Sequence, residues 1–243
     1  GVAMIAEEST AWPKVTDHPE NDGLGFTFKW NMGWMHDFLE YMKLDPYFRK
    51  YNHNRMTFSL TYFTSENYIL VLSHDEVVHL KCSMINKMPG LGEDKFSNLK
   101  AGYTFMLGHP GKKLLFMGQD FGQWHEWDEK VSLDWYLAEE ESHKKLQEYV
   151  RDLLHIYKKY PCLYQLDFQW INANDGDRSI FSFIRKDETG KKNLLFVVNF
   201  TPVDRPDYRV GVPKRCKLSL LLDNVHGAYK PSQCPTYTSV KSE

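Results

Sequence analysis

Residues 68–79 read YILVLSHDEVVH, an apolar run that changes abruptly into polar and charged residues. The apolar part, Tyr68 to Leu72, is typical of a strand buried on both faces of a parallel sheet, because hydrophobic residues there are continuous rather than alternating. Its end is followed at once by His74, Asp75 and Glu76. The stretch therefore predicts a buried parallel strand that carries functional side chains at its carboxyl end.

The same order occurs twice more along the chain. Val2 to Ala6 form a short apolar run that ends in Glu7 and Glu8. Lys113 to Met117 form another, which leads into a polar and aromatic loop at residues 119–128. We expect both runs to be buried strands of the same sheet.

Segments with helical periodicity separate these strands. Apolar residues at i, i+3, i+4 and i+7 predict a helix that stops at Asp45-Pro46, and similar spacing predicts helices from Glu93 to Gly108 and from Glu140 to Tyr160. Phe26 to Trp30 and Thr57 to Phe63 are a further predicted strand and helical segment. This alternation predicts an α/β fold of the (β/α) barrel type, with its active site at the carboxyl ends of the strands. Because a barrel needs eight such units and only three or four are predicted, we expect a fragment.

The periodicity changes after Pro161. Ile180 to Ile184 and Leu194 to Phe200 are strand-like runs joined by a turn sequence, which predicts a β-hairpin. Tyr208 to Val212 and Lys217 to Leu222 are predicted as two more strands, and the chain from residue 224 onward shows no periodicity. We therefore predict two domains, with βα units in residues 1–160 and an all-β domain in residues 161–243.

Composition excludes several classes of protein. Lys and Arg number 30 against 32 Asp and Glu, for a net charge of −2, and the basic residues are scattered, which argues against a nucleic-acid-binding protein. The apolar runs are far shorter than the roughly 18 residues that a membrane span requires. The four cysteines are widely spaced and form no Cys-x-x-Cys pair, and the first residues do not resemble a signal peptide, so a cytoplasmic location is predicted.

The carboxylates at the end of the first strand are candidate catalytic residues. Alternate side chains of a strand face opposite sides, so only one of Glu7 and Glu8 can point into a barrel mouth. The alternative is that both are loop carboxylates or that they cap a helix together with Ser9 and Thr10.

The polar residues after the predicted strand Tyr68 to Leu72 are the second candidate group. His74 and Asp75 are expected to enter the same mouth and to offer hydrogen bonds and negative charge to a substrate. His74 and His79 are five residues apart, which places them on different faces of a helix and argues against a metal site.

Aromatic residues make up 15% of the chain, and several follow the predicted strand Lys113 to Met117. Trp127, Glu126 and Trp135 are predicted to bind substrate at the rim of the mouth, since flat aromatic surfaces and hydrogen-bonding groups suit sugar rings. The alternative is that these tryptophans pack the loop against the barrel.

An ordered set of motifs resembles the bacterial-type glycogen branching enzymes of the α-amylase superfamily. The resemblance covers about residues 1–210, and residues 199–209 resemble the start of that family's C-terminal β-sandwich. The motifs are AEEST at 6–10, GLGFTFKWNMGWMHD at 23–37, LSHDEVVH at 72–79, HPGKKLLFMG at 109–118 and SLDW at 132–135.

The resemblance implies a fold and a set of roles. The fold would be the C-terminal half of a (β/α)8 TIM barrel followed by a truncated all-β sandwich domain. Glu7 would be the proton donor, Asp75 the transition-state stabiliser and His74 a substrate hydrogen-bonding residue. The substrate would be an α-glucan such as glycogen or amylose, with no metal, organic cofactor, nucleic acid or membrane involved.

The family's nucleophilic aspartate lies on the strand before the proton donor, so the resemblance places it upstream of residue 1. The chain alone is therefore expected to be inactive and to require the upstream half of the barrel. The sequence also departs from the family at Leu80, where Gly is usual, and at Gln119-Asp120. A related α-glucan hydrolase or glucanotransferase, or a non-catalytic glucan-binding protein, are the alternative functions.

Overall fold

A computed structural model describes residues 1–190, 192–230 and 232–240 of the chain. Its centre is a four-stranded sheet in which the strands follow one another in chain order. Every neighbouring pair in this sheet is parallel. The strands are β1 (Ile5–Ala6), β2 (Phe28–Trp30), β3 (Tyr68–Leu72) and β4 (Lys112–Leu115). The predicted α/β class is confirmed.

Helices occupy the connections between the strands, as βαβ units require. The α-helices are α1 (Met32–Lys43), α2 (Pro46–Arg49), α3 (Arg55–Phe58), α4 (Met84–Lys87), α5 (Glu93–Gly108) and α6 (Glu141–Lys159). Single 3₁₀ turns cover Pro19–Asn21, Lys50–Asn52, Ser59–Thr61, His74–Val77, Trp135–Glu139 and Pro161–Leu163.

Local sequence explains where α1 begins and ends. The Asn31 side chain accepts a hydrogen bond from the backbone N–H of Trp34 at 2.9 Å and caps the first turn. The helix stops at Leu44 in extended backbone, and the Asp45 carboxylate caps α2 by accepting from the N–H of Tyr47 at 2.9 Å. The predicted stop at Asp45-Pro46 is confirmed.

The rest of the chain forms antiparallel sheets. The largest has the order β5 (Phe168–Asp175), β6 (Ile180–Arg185) and β7 (Leu194–Asn199), and it contains the predicted hairpin. Two smaller sheets pair β8 (Lys217–Ser219) with β11 (Thr236–Thr238), and β9 (Leu222–Asp223) with β10 (Gly227–Ala228).

The structure corrects several predictions at the level of single elements. The predicted buried strand Val2 to Ala6 is reduced to Ile5–Ala6, in which Ala6 is buried but Ile5 is 48% exposed, and Val2 before it is 87% exposed. Within the described residues β1 pairs only with β2. Tyr208 to Val212 is not a strand. Side-chain contacts hold this segment instead, since the Tyr208 hydroxyl donates to the Asp175 carboxylate at 2.7 Å. Two strands also occur after residue 224, where none was predicted.

Buried residues of the parallel sheet, its helices and the β5–β7 sheet belong to one continuous hydrophobic core. The predicted boundary between a domain of residues 1–160 and a domain of residues 161–243 therefore stays a prediction. Phe105 of α5 packs edge-on against Phe181 and Phe183 of β6. The fully buried Arg185 guanidinium donates to the carbonyl oxygens of Gly108 at 2.7 Å and of Cys162 at 3.1 Å. These hydrogen bonds satisfy the buried charge, and burial lowers its pKa to about 10.

Gly108, the last residue of α5, lies directly against the aromatic rings of the β5–β7 sheet. A Cβ added there would lie 2.7 Å from the ring of Phe183 and 2.8 Å from the ring of Phe196. These two rings stack on each other with centroids 5.0 Å apart. The available space at this position therefore admits only glycine.

None of the helices in the described ranges is long and apolar enough to cross a bilayer.

We predict that Gly108→Ala lowers the free energy of unfolding by about 1–3 kcal/mol, because the new methyl group overpacks the ring pair. In an unobstructed helix the same change would raise the free energy of unfolding by about 0.5–1 kcal/mol. A decrease rather than an increase would therefore show that the aromatic rings obstruct the new methyl group. Urea denaturation of the full-length protein that carries this sequence measures the difference.

Gly211→Ala is the matched control, because its added Cβ would meet Ile171 at an ordinary 3.5 Å. Its effect should stay within about 0.5 kcal/mol. Equal stability of the two variants would contradict this account of the contact.

Candidate active site

The candidate site lies at one edge of the parallel sheet. Because β1 to β4 are parallel, the residues that follow their carboxyl ends share that edge. Glu7 follows β1, and His74 and Asp75 follow β3. Only β2 separates these strands, so their backbones lie about 10 Å apart.

The two adjacent glutamates differ sharply in environment. The Glu8 carboxylate forms an ion pair with Lys29 Nζ at 2.8 Å and accepts a hydrogen bond from the N–H of Thr10 at 2.7 Å. These interactions, that of Lys29 first, lower the pKa of the Glu8 carboxyl to about 2. Glu7 is exposed and has no hydrogen-bond or ion-pair partner within the described part of the chain. Glu7 is thus the exposed carboxylate without a partner among the described residues, whereas Glu8 is a loop carboxylate.

Lys29 is the residue that sequence reasoning missed here. Its side chain, 6% exposed, also donates to the carbonyl oxygens of Thr10 and Trp12 at 3.1 and 3.2 Å. It therefore fixes the loop that follows Glu7. The sequence did contain a signal for this role: Lys29 lies inside a predicted strand, and a buried ammonium group requires a charged or carbonyl partner.

His74 and Asp75 lie on the 3₁₀ turn directly after β3. His74 Nε2 is 3.1 Å from Asp75 Oδ1, and both side chains are 44% exposed. The Lys81 ammonium donates to the Asp75 carbonyl oxygen at 2.7 Å. The imidazole and carboxylate are thus paired with each other and partly open to solvent.

Aromatic rings form one wall beside His74. The Trp127 ring lies 6.1 Å from the His74 ring and 5.2 Å from the Phe116 ring, in edge-on geometry. The backbone N–H of Trp127 also donates to the Val77 carbonyl oxygen at 2.9 Å. Trp127 therefore packs the loop after β4 against the loop after β3, and its half-buried ring still faces the candidate residues.

Glu126 and Trp135, the other predicted substrate-binding residues, have different surroundings. The two Glu126 carboxylate oxygens accept hydrogen bonds from the backbone N–H groups of Leu80 at 3.0 Å and Cys82 at 2.6 Å. Trp135 is 56% exposed and rests against Phe121 with ring centroids 5.3 Å apart. A sugar contact by either residue stays a prediction.

A further polar pair lies on the loop after β4. His125 Nδ1 is 2.6 Å from an Asp134 carboxylate oxygen, and the His125 side chain is 75% exposed. The Gln123 side-chain oxygen accepts from the Asp134 N–H at 3.0 Å. Within the described ranges, no cluster of His, Cys, Asp and Glu could hold a metal ion.

Comparison with known proteins identifies the relatives of this chain. The chain is 58% identical to a 1,4-alpha-glucan branching enzyme of Butyrivibrio fibrisolvens over 99% of its own length, and 54% identical to one of Aquifex aeolicus over 88%. The predicted resemblance to the glycogen branching enzymes is confirmed. The chain spans only 38% and 35% of the length of these two curated relatives.

Two further comparisons agree with this resemblance. Residues 170–243 match the family model of the alpha amylase C-terminal all-beta domain. A type I pullulanase from Bacillus subtilis, solved with maltose, has a TM-score of 0.70 at 14% identity and covers 98% of the chain and 38% of its own. AmyP, also solved with maltose, has a TM-score of 0.61 at 13% identity, with 97% and 53% covered. These structures show that the chain shares the fold of α-amylase family enzymes.

The Glu8–Lys29 pair predicts a specific dependence of stability on pH. Its low folded pKa means that Glu8 contributes stability above its ordinary value of 4.5, and that this contribution is lost as the pH falls toward about 2. Glu8→Gln should therefore be less stable than the wild type at pH 7 and equal to it near pH 2. Urea unfolding midpoints of the full-length protein across this range measure the difference.

Lys29→Met serves as the companion variant, because it removes the other member of the same ion pair. Its loss of stability relative to the wild type should also shrink over the same pH interval. A difference between wild type and Glu8→Gln that stays constant from pH 7 to pH 2 would rule out the pair as its source.

Proposed function

We propose that the full-length protein is a 1,4-α-glucan branching enzyme, which cleaves α-1,4-glucan chains and transfers the released segment to a 6-hydroxyl group. The observation that carries this proposal is the 58% identity to a relative of that name over 99% of the chain. The placement of Glu7, His74 and Asp75 at one sheet edge supports it.

Glu7 is the proposed proton donor. A carboxylate nucleophile attacks the anomeric carbon, while protonated Glu7 gives its proton to the departing glycosidic oxygen. The products of this step are a covalent glycosyl-enzyme and a shortened glucan with a free hydroxyl group. The nucleophile belongs to the strand that precedes β1 in the resembled family, and we propose that the upstream half of a (β/α)8 barrel supplies it.

The second step forms the branch. Glu7, now deprotonated, takes the proton of an acceptor 6-hydroxyl, whose oxygen attacks the anomeric carbon and releases the enzyme carboxylate. Two inversions at the same carbon retain the α configuration. The exposure of Glu7 suits this exchange, because both a leaving chain and an incoming chain must reach it.

His74 and Asp75 are proposed to bind the hydroxyl groups of the donor sugar. Their hydrogen bonds gain strength as positive charge develops on the ring, which lowers the barrier rather than only tightening binding. Trp127 and Trp135 are the proposed sugar-binding residues around them, whereas both carboxylate oxygens of Glu126 are engaged by backbone N–H groups. Neither a metal nor an organic cofactor is proposed, and the location is proposed to be the cytoplasm.

Substitution of Glu7 tests the proposal most simply. We predict that Glu7→Gln in the full-length protein lowers the branching rate on amylose by at least about 100-fold, because the amide cannot donate the proton. Glu188→Gln is the control, since that carboxylate is exposed and lies in the turn between β6 and β7, outside the parallel sheet. It should leave the rate unchanged.

Product linkage separates the proposed function from its alternatives. New α-1,6 linkages, detected by debranching and chain-length analysis, are expected from the wild type. Shortened chains without new branches would point to a hydrolase, and rearranged α-1,4 chains to another glucanotransferase. Binding of glucan with no change in linkage, unaffected by Glu7→Gln, would make the protein a non-catalytic glucan binder.

A further inference from the structure

The turn at residues 79–82, which follows the 3₁₀ turn of His74 and Asp75, has an unusual backbone. His79, Leu80 and Cys82 have φ values of 56°, 64° and 68°, in the left-handed region that side chains with a Cβ disfavour. Each such residue costs about 1–2 kcal/mol. Leu80 is 96% exposed, so packing of its side chain does not offset this cost. The turn must be held by other interactions.

Glu126 provides those interactions. Its two carboxylate oxygens accept from the N–H groups of Leu80 and Cys82, at 3.0 and 2.6 Å. Hydrogen bonds to a charged acceptor are roughly twice as strong as neutral ones. The carboxylate thus binds the backbone of two of the three left-handed residues.

The same turn is connected to the proposed donor-sugar residues. Lys81, at its centre, donates from its ammonium group to the Asp75 carbonyl oxygen at 2.7 Å. The Lys87 ammonium in turn donates to the Lys81 carbonyl oxygen. A change in the conformation of the turn would therefore move the backbone that carries Asp75.

We propose that Glu126 is a positioning residue: it holds the 79–82 turn in its left-handed conformation and thereby fixes His74 and Asp75 for the donor sugar. The catalytic part of this proposal rests on the proposed branching function. The holding of the turn does not, because it concerns contacts within the chain. Leu80 is one of the two residues whose backbone Glu126 binds, and it has neither side-chain packing nor glycine's conformational freedom to offset the loss of that contact.

The experiment uses Glu126→Gln in the full-length protein, because the amide keeps the size of the side chain but offers one acceptor oxygen instead of two. We expect hydrogen exchange to accelerate by at least about 10-fold at the amides of Leu80 and Cys82 and across the His74–Val77 turn. We expect kcat for branching of amylose to fall about 10-fold to 100-fold, as for a misplaced catalytic group. KM should change by less than about 3-fold.

Rescue by Leu80→Gly distinguishes positioning from direct sugar binding. Glycine adopts left-handed backbone without steric cost, so Leu80→Gly combined with Glu126→Gln should restore most of the exchange protection and most of kcat. Leu80→Ala combined with Glu126→Gln is the matched control, because it removes the side chain and keeps the Cβ. It should restore neither.

Two results would overturn the proposal. One is unchanged exchange across the His74–Val77 turn in Glu126→Gln. The other is a rise in KM alone that Leu80→Gly does not reverse, which would make Glu126 a sugar ligand. A third result would separate the two proposals. If the wild type forms no branches, but Glu126→Gln accelerates hydrogen exchange and Leu80→Gly restores protection, then the proposed function fails and the proposal that Glu126 holds the 79–82 turn stands.

Discussion

The parallel pairing of β1 to β4 determines where every polar group at the sheet edge lies. Consecutive parallel strands turn their carboxyl ends to one side, and that side receives Glu7, His74, Asp75 and the aromatic loop after β4. The longest pairing in this sheet joins β3 to β4, from Ile69–Lys112 to Leu72–Leu115. Ile69 to Leu72 are buried in succession, so apolar contacts on both faces of the sheet hold β3 in place.

The aromatic core also determines the position of the carboxyl edge of the parallel sheet, because it joins the β5–β7 sheet to the helices that pack behind the parallel strands. Arg185 and the rings over Gly108 make this contact at the carboxyl end of α5, immediately before β4 begins. The position of β4, and with it the loop that bears Glu126 and Trp127, therefore depends on packing far along the chain. Neither domain boundary nor site can be understood from the βα units alone.

Much of this architecture was predictable from sequence, and the failures have physical causes. Tyr68–Leu72 and the hairpin of β6 and β7 were predicted closely, because their apolar runs are continuous and their ends carry turn residues. The strand β5 was missed because its sequence, FQWINAND, contains residues with low strand propensity. The motifs predicted which residues gather at the sheet edge. The Glu8–Lys29 pair and the Glu126 contacts join residues distant in sequence, so no local pattern revealed which residues are partners, although a lysine inside a predicted strand signalled that Lys29 needs one.

The central claim is that Glu7, His74 and Asp75 act on one sugar unit. A crystal structure of the full-length Glu7→Gln protein with bound malto-oligosaccharide tests it most directly. The account predicts that the residue 7 side chain lies within hydrogen-bond distance of a glycosidic oxygen, while His74 and Asp75 contact hydroxyl groups of the adjoining donor sugar. An ordered oligosaccharide at the edge that contacts His74 and Asp75 but lies beyond reach of residue 7 would contradict it.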